Sequence, residues 1–292
     1  TLFEGVRACA QQRGIETVYT RGCGPLPSEA DDLDAAVLTA RDADLIVFSV
    51  VDVIEQAGEY RDRANLALSG RQEELFTRLQ ALYKPIVTVL IATKPLCLTR
   101  VAEESGAFIA AFNGGQYGGQ AVAEAIFGEI NPGGKLPISF PRHSGQIPVY
   151  YNSLPGWHGE KYVDLPESPL FSFGEGLSYT TFSYSDLRID PEVLELRVTL
   201  RNIGARAGSE TAQVYVRDLV SSVLTPVKRL IAFQKVELEA GESRELVFSL
   251  RREDFSLVLP DERRVVEPGE FTLFVGGSSR DQDLLRANIT LK

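Results

Sequence analysis

The sequence predicts a partial α/β sandwich with a mostly parallel sheet, followed by an immunoglobulin-like antiparallel β-sandwich. Two short apolar runs, residues 45–51 and 86–91, are typical of strands buried on both faces. Apolar residues at helical spacing lie before, between and after these runs, and such alternation of strand and helix indicates a parallel sheet. From about residue 183 apolar and polar residues alternate, which is the pattern of half-buried antiparallel strands.

The first 145 residues form the predicted α/β domain. Gly14 ends a first helix over residues 1–13, because glycine is favoured just past a helix end. Ser69 and Gln72 resemble a capping box at the start of a later helix. The remaining predicted elements are a short strand at 15–19, a helix at 33–40, a strand at 108–112 and a helix at 121–127. Because a sheet of this kind normally has a further strand before residue 1, we expect the N-terminal strand to be missing.

The second half divides into a linker and a β-domain. Residues 146–182 are rich in aromatic side chains, Pro and Gly with little periodicity, which predicts a linker that wraps a surface. Residues 183–292 contain alternating runs near 194–200, 212–217, 246–250 and 271–275, separated by Gly-containing turn signals. Evenly spaced strands over about 110 residues suggest a sandwich of immunoglobulin-like size.

Composition excludes several functions. The 292 residues carry a net charge of -10, which argues against a nucleic-acid surface. No apolar run reaches the roughly 18 residues of a membrane span. Neither the three cysteines nor the two histidines have metal-ligand spacing. We therefore predict no cofactor, no metal, no nucleic acid and no membrane partner.

The loop after the 45–51 run is the candidate site. Ligands of parallel sheets bind beyond the carboxyl ends of the strands, and this loop, residues 52–63, is long and densely charged. A carboxylic acid there can protonate the departing oxygen of a glycoside. From the residues alone Glu59, Glu55 and Asp62 are equal candidates. The ordinary alternative is a solvated carboxylate paired with Arg61 or Arg63.

Six segments, in order, resemble family 3 glycoside hydrolases. Ala57 to Arg63 is similar to that family's Gly-Glu-x-x-Asp-Arg segment, and Phe127 to Pro141 is the most specific match. Phe173 to Phe182 is nearly as diagnostic. The others are 68–70 with the helix that follows, 84–90 and 115–119.

This resemblance implies an exo-acting, retaining β-glycosidase with no cofactor. Members combine a barrel domain that carries an aspartate nucleophile, an α/β sandwich, and often a fibronectin type III-like domain, which would be residues 183–292 here. No barrel is present in this chain, so the nucleophile must come from another chain or a missing segment. By its motif position Glu59 is the implied general acid/base, with Glu55 as the alternative. We expect the chain alone to be inactive.

The remaining expectations are broader. Tyr60, Asp62, Arg63 and Trp157 are candidate substrate-binding residues, although packing against neighbouring domains is an alternative role for Trp157. The substrate would be a β-linked glucoside or xyloside. A non-catalytic carbohydrate-binding or interaction module is the competing hypothesis. The sugar, the compartment (cytoplasmic, periplasmic or secreted) and assembly into a homo-oligomer stay open.

Overall fold

The computed structural model describes residues 1–26, 31–156 and 162–292. Two compact units emerge: residues 1–130 with 141–147, and residues 131–140 with 148–292. The first unit is α/β and the second is almost entirely β, as predicted. No helix among the described residues is long and apolar enough to cross a membrane.

The first unit contains five α-helices and three parallel strands among its described residues. The helices are α1 (Leu2–Gln11), α2 (Leu33–Arg41), α3 (Gln72–Gln80), α4 (Thr99–Glu104) and α5 (Gly118–Ile126). The strands are β1 (Ile46–Val51), β2 (Ile86–Ile91) and β3 (Ala107–Ala110), in the sheet order β1-β2-β3. Ile46 pairs with Ile86 and Val87 with Ala107, so all three carboxyl ends lie at one edge of the sheet.

Local chemistry explains the boundaries of α1 and the start of α2. A capping box between Thr1 and Glu4 begins α1, and Gly14, with φ +66°, follows its end. Asp32 caps α2 by accepting a hydrogen bond from the Ala35 amide at 3.0 Å. The strand predicted at 15–19 does not form. A strand needs a hydrogen-bonded neighbour, and none of the described strands pairs with this segment.

The second unit is a sandwich of two antiparallel sheets. One has the order β12-β11-β6-β7 and the other β4-β5-β8, with a small β9-β10 pair besides. The strands are β4 (Phe182–Asp190), β5 (Glu195–Asn202), β6 (Gly208–Asp218), β7 (Arg229–Leu238), β8 (Ser243–Ser249), β9 (Leu257–Val258), β10 (Arg264–Val265), β11 (Gly269–Gly276) and β12 (Leu285–Leu291).

Apolar side chains from both sheets form one buried core. Leu196 and Leu246 come from the three-stranded sheet, and Val214 and Leu273 come from the four-stranded sheet. All four belong to the alternating runs identified in the sequence. The period-two pattern therefore marked the faces that meet inside the sandwich.

The two most distinctive sequence motifs pack against each other within the second unit. The Leu136 amide donates to Glu175 O at 2.8 Å, and the Gly174 amide donates to Leu136 O at 2.7 Å. A Cβ at Gly176 would lie 2.2 Å from Gly134 O, so only glycine permits this approach. This contact therefore holds the two segments together within the second unit.

A buried ion pair joins the motif segment to the sandwich. Lys135 Nζ lies 3.0 Å from Glu210 Oε1 on β6, and the side chains are 15% and 7% exposed. The Tyr184 hydroxyl on β4 also donates to Glu210, at 3.1 Å. Burial raises the pKa of the Glu210 carboxyl, and Lys135 opposes that shift.

Candidate active site

The candidate site begins at Asp52, the first residue beyond β1. Its side chain is completely buried and lies between two cations, Lys94 and Arg63. Lys94 Nζ donates to Asp52 Oδ2, and Arg63 Nη1 lies 3.5 Å from Asp52 Oδ1. Lys94 follows β2 and Arg63 lies at the far end of the loop. Asp52 thus connects the carboxyl ends of β1 and β2 to the far end of the loop at Arg63.

Each cation also binds a backbone carbonyl of the loop. Lys94 Nζ donates to Gln56 O at 2.8 Å, and Arg63 Nη2 donates to Ala67 O at 2.6 Å. A carboxylate without such partners would be costly to bury. The arrangement satisfies the charge of Asp52 and fixes the chain at residues 56 and 67.

Gln72 anchors the other end of this region. Its Oε1 accepts from the Val51 amide at 2.8 Å, while its Nε2 donates to Val51 O at 3.0 Å and to Ser69 O at 2.9 Å. The predicted capping box between Ser69 and Gln72 is therefore wrong. Arg71 is the N-cap residue of α3. The side-chain amide of Gln72 instead hydrogen-bonds both backbone groups of Val51, as a neighbouring strand would.

Glu59 lies in a tight turn at the exposed tip of the loop. The Arg61 amide donates to Gly58 O at 3.1 Å, which makes Glu59 and Tyr60 the two central residues. Gly58 has φ +115° and Tyr60 has φ +60°. A positive φ at the third turn position normally calls for Gly or Asn, so Tyr60 holds a strained conformation there. Strain of this kind is concentrated at functional sites.

The predicted site residues separate into two groups. Glu59, Tyr60 and Asp62 are exposed together at the tip, and 91% of Tyr60 is accessible. Arg63 turns inward to Asp52 and is only 17% exposed. It pairs with Asp52, not with a tip carboxylate. Trp157 lies outside the described residues.

The structure does not distinguish Glu59 from Glu55 by burial. Glu55 is also exposed and belongs to the short 3-10 turn Ile54–Gln56. No hydrogen bond or ion pair in the described part of the chain engages the Glu59 carboxylate, so the alternative of pairing with Arg61 or Arg63 is not realised. Its oxygens are open to a ligand.

Sequence reasoning missed Asp52, Lys94 and Gln72. Asp52 directly follows the first apolar run, and Lys94 lies three residues beyond the second. Because the carboxyl ends of parallel strands lie at one edge of the sheet, the two side chains could have been expected to lie close together. Gln72 offered no such signal. Nowhere along residues 1–26, 31–156 and 162–292 do three or more His, Cys, Asp or Glu side chains form a group suited to a metal.

An α/β unit with a charged loop beyond the carboxyl edge of its parallel sheet, followed in sequence by an antiparallel β-sandwich, is the architecture to be matched to a protein family. The model of the glycosyl hydrolase family 3 C-terminal domain matches residues 1–179, and that of a fibronectin type III-like domain matches residues 210–279. The chain belongs to glycosyl hydrolase family 3 and represents its C-terminal portion.

Named relatives agree with this assignment. A β-xylosidase of Formosa agariphila is 37% identical over 95% of this chain and 40% of its own length. A periplasmic β-glucosidase of Salmonella typhimurium is 36% identical over 85% of this chain and 34% of its own length. The chain therefore spans about two fifths or less of these relatives.

Solved structures show the same fold. A β-glucosidase from Erythrobacter marinus has a TM-score of 0.92 and 37% identity, covering 100% of this chain and 43% of that one. The β-glucosidase from Listeria innocua in complex with glucose has a TM-score of 0.87 and 34% identity, covering 96% and 41%. The predicted fold class and family are confirmed.

Proposed function

We propose that this chain supplies the general acid/base of a retaining, exo-acting β-glucosidase or β-xylosidase. Glu59 is the acid/base, and a barrel domain outside this chain carries the nucleophile. The proposal is supported by the names of the relatives, which are β-glucosidases and β-xylosidases. The observation that carries it is the strained turn that presents Glu59 without a protein partner beyond a parallel sheet edge.

The chemistry needs two carboxyl groups about 5–5.5 Å apart. Glu59, protonated, gives its proton to the glycosidic oxygen as the C1–O bond breaks and the barrel carboxylate bonds to C1. Glu59, now a carboxylate, takes a proton from water while that water attacks C1 and releases the nucleophile. Glu59 thus regains from water the proton that it gave to the leaving group, and the two steps need no cofactor.

Three neighbours have proposed supporting roles. Tyr60 and Asp62 flank the acid/base on the exposed tip, where they can contact the sugar. Arg63 is engaged with Asp52 and its side chain is only 17% exposed, which leaves little of its guanidinium open to a sugar. We therefore assign direct contact to Tyr60 and Asp62 before Arg63.

Leaving-group dependence tests the proposal in the complete enzyme, with this chain joined to its barrel. Glu59→Gln should lower kcat/KM by roughly 10²–10⁴-fold for a poor leaving group, and far less for dinitrophenolate, which departs without a proton. Glu55→Gln is the matched control on the same loop. The isolated chain should not turn over either substrate.

Each alternative has its own signature. If Glu55→Gln alone shows the leaving-group pattern, the acid/base is Glu55. If both variants keep full activity on poor leaving groups, neither carboxylate is the proton donor and a non-catalytic carbohydrate-binding module becomes the better account. Turnover by the isolated chain would contradict the need for a barrel.

A further inference from the structure

We propose that Lys94 and Arg63 are positioning residues that hold the Glu59 loop in place through the buried carboxylate of Asp52. This inference rests on the proposed function only where it concerns catalysis. The structural part concerns the clamp, defined here as the side chains of Asp52, Lys94 and Arg63. These three come from the ends of two strands and from the loop itself.

The central group of the clamp is the buried carboxylate of Asp52, which needs partners for its charge. The Asp52 side chain has no exposed surface, and its Oδ1 also accepts from the Val53 amide at 3.2 Å. Losing a partner of a buried charge is strongly destabilising. The position of Asp52 therefore depends on both cations remaining close to it.

The two cations of the clamp also bind the backbone on both sides of the turn that carries Glu59. Lys94 reaches Gln56 O, which precedes the turn, and Arg63 reaches Ala67 O, which follows it. The chain is thus fixed on both sides of Glu59. The segment between them, which contains the Gly58–Arg61 turn, is largely exposed to solvent.

Lys94 and Arg63 are assigned to positioning because their side chains are largely buried, 26% and 17% exposed, and each already binds Asp52 and a loop carbonyl. The Lys94 ammonium binds Asp52 and Gln56, and the Arg63 guanidinium binds Asp52 and Ala67. Neither makes a hydrogen bond to Glu59 in the described structure. Proton transfer is sensitive to small displacements of the donor, so a loosened loop should impair Glu59 without removing it.

Amide hydrogen exchange in the 292-residue chain tests the clamp without any assumption about catalysis. Lys94→Met removes one cation at the carboxyl end of β2. Lys84→Met is the matched control, because Lys84 precedes the same strand and makes no side-chain hydrogen bond in the described structure. We expect amides 53–62 to exchange about tenfold faster in K94M than in K84M. Lys94→Arg should restore most of the protection.

A second variant guards against loss of the fold. Arg63→Lys keeps the charge but replaces the planar guanidinium, which uses two separate nitrogens to reach Asp52 and Ala67, with a single nitrogen. It should accelerate exchange in residues 61–67 while the amides of β2 stay protected. Equal exchange of the loop in K94M, R63K and K84M would overturn the clamp.

Kinetics of the complete enzyme then test the link to Glu59. K94M should lower kcat/KM by about 10–100-fold for a poor leaving group and by far less for dinitrophenolate, which departs without a proton. K94R should recover much of the rate, and K84M should match the wild type. An equal loss of kcat/KM for both leaving groups would overturn positioning through Glu59.

The two proposals fail in different ways. If E59Q shows no leaving-group dependence, the proposed function is wrong while the exchange result still decides the clamp. If E59Q shows the dependence and K94M does not, Glu59 is the acid/base and Lys94 is not its positioning residue.

Discussion

Replacing Lys135 with methionine removes the ammonium that faces the buried carboxylate of Glu210. The lost contact is 3.0 Å long, and the two side chains are 15% and 7% exposed. Leaving a buried charge unpaired typically costs about 3–5 kcal/mol. Because the Tyr184 hydroxyl still donates to Glu210, we expect the lower end, about 3 kcal/mol at pH 8.

The cost should depend on pH, because Glu210 can become neutral. Burial raises its pKa above the ordinary value of 4.5 in the folded state. A carboxyl with a raised folded pKa contributes stability that declines as the pH rises from about 4.5 through the folded value. Without Lys135 the folded pKa rises further and this decline extends to higher pH. The cost of K135M should therefore fall below about 1 kcal/mol near pH 5.

Urea denaturation of the whole chain, monitored through amide exchange of β6, measures the free energy of unfolding of the second unit. With a slope of about 2 kcal/mol per molar urea, a loss of 3 kcal/mol lowers the midpoint by about 1.5 M at pH 8. The double variant Lys135→Met/Glu210→Gln is the control, since it has no stranded charge. An equal cost at both pH values, or a double variant as unstable as K135M, would refute the reasoning.

Two further predictions concern the first unit. Gly119→Ala should lower the free energy of unfolding by about 1–3 kcal/mol, because its Cβ would lie 2.3 Å from Thr1 O. Gly118→Ala is the control, since its Cβ would meet nothing within 4 Å. Thermal denaturation compares the two variants, and equal losses of stability would contradict the close packing. Tyr60→Gly should stabilise the unit by about 1 kcal/mol in the same assay, because glycine tolerates φ +60° without strain. Destabilisation by Y60G would show that the side chain makes a contact worth more than the strain.

The sequence was most informative where burial is periodic. The apolar runs at 45–51 and 86–91 become β1 and β2, and the alternating runs become β5, β6, β8 and β11. In each case the pattern reflects which faces of a strand meet a core. The helix predicted at 121–127 forms as α5, although it begins earlier, at Gly118.

The failures have a common physical origin. The segment 15–19 has strand-forming residues, but a strand depends on a neighbour that local sequence does not reveal. The amide of Gln72 fits a capping box locally, yet it binds Val51, 21 residues away. Local patterns cannot decide between such competing partners.

The candidate site was predictable in part. Its place beyond β1 follows from the rule for parallel sheets, and the resemblance selected Glu59. The clamp was not foreseen, because Asp52 and Lys94 are 42 residues apart and their pairing depends on the order of strands in the sheet. The boundaries predicted at 145 and 182 remain predictions.

Azide rescue of Glu59→Ala in the complete enzyme tests the central claim most directly. With a dinitrophenyl β-glycoside the nucleophile still forms the glycosyl-enzyme, and azide, which needs no base, then attacks it. The account predicts a rate increase with azide and a β-glycosyl azide product for E59A, but not for E55A. No azide product from E59A, or the same product from E55A instead, would contradict it.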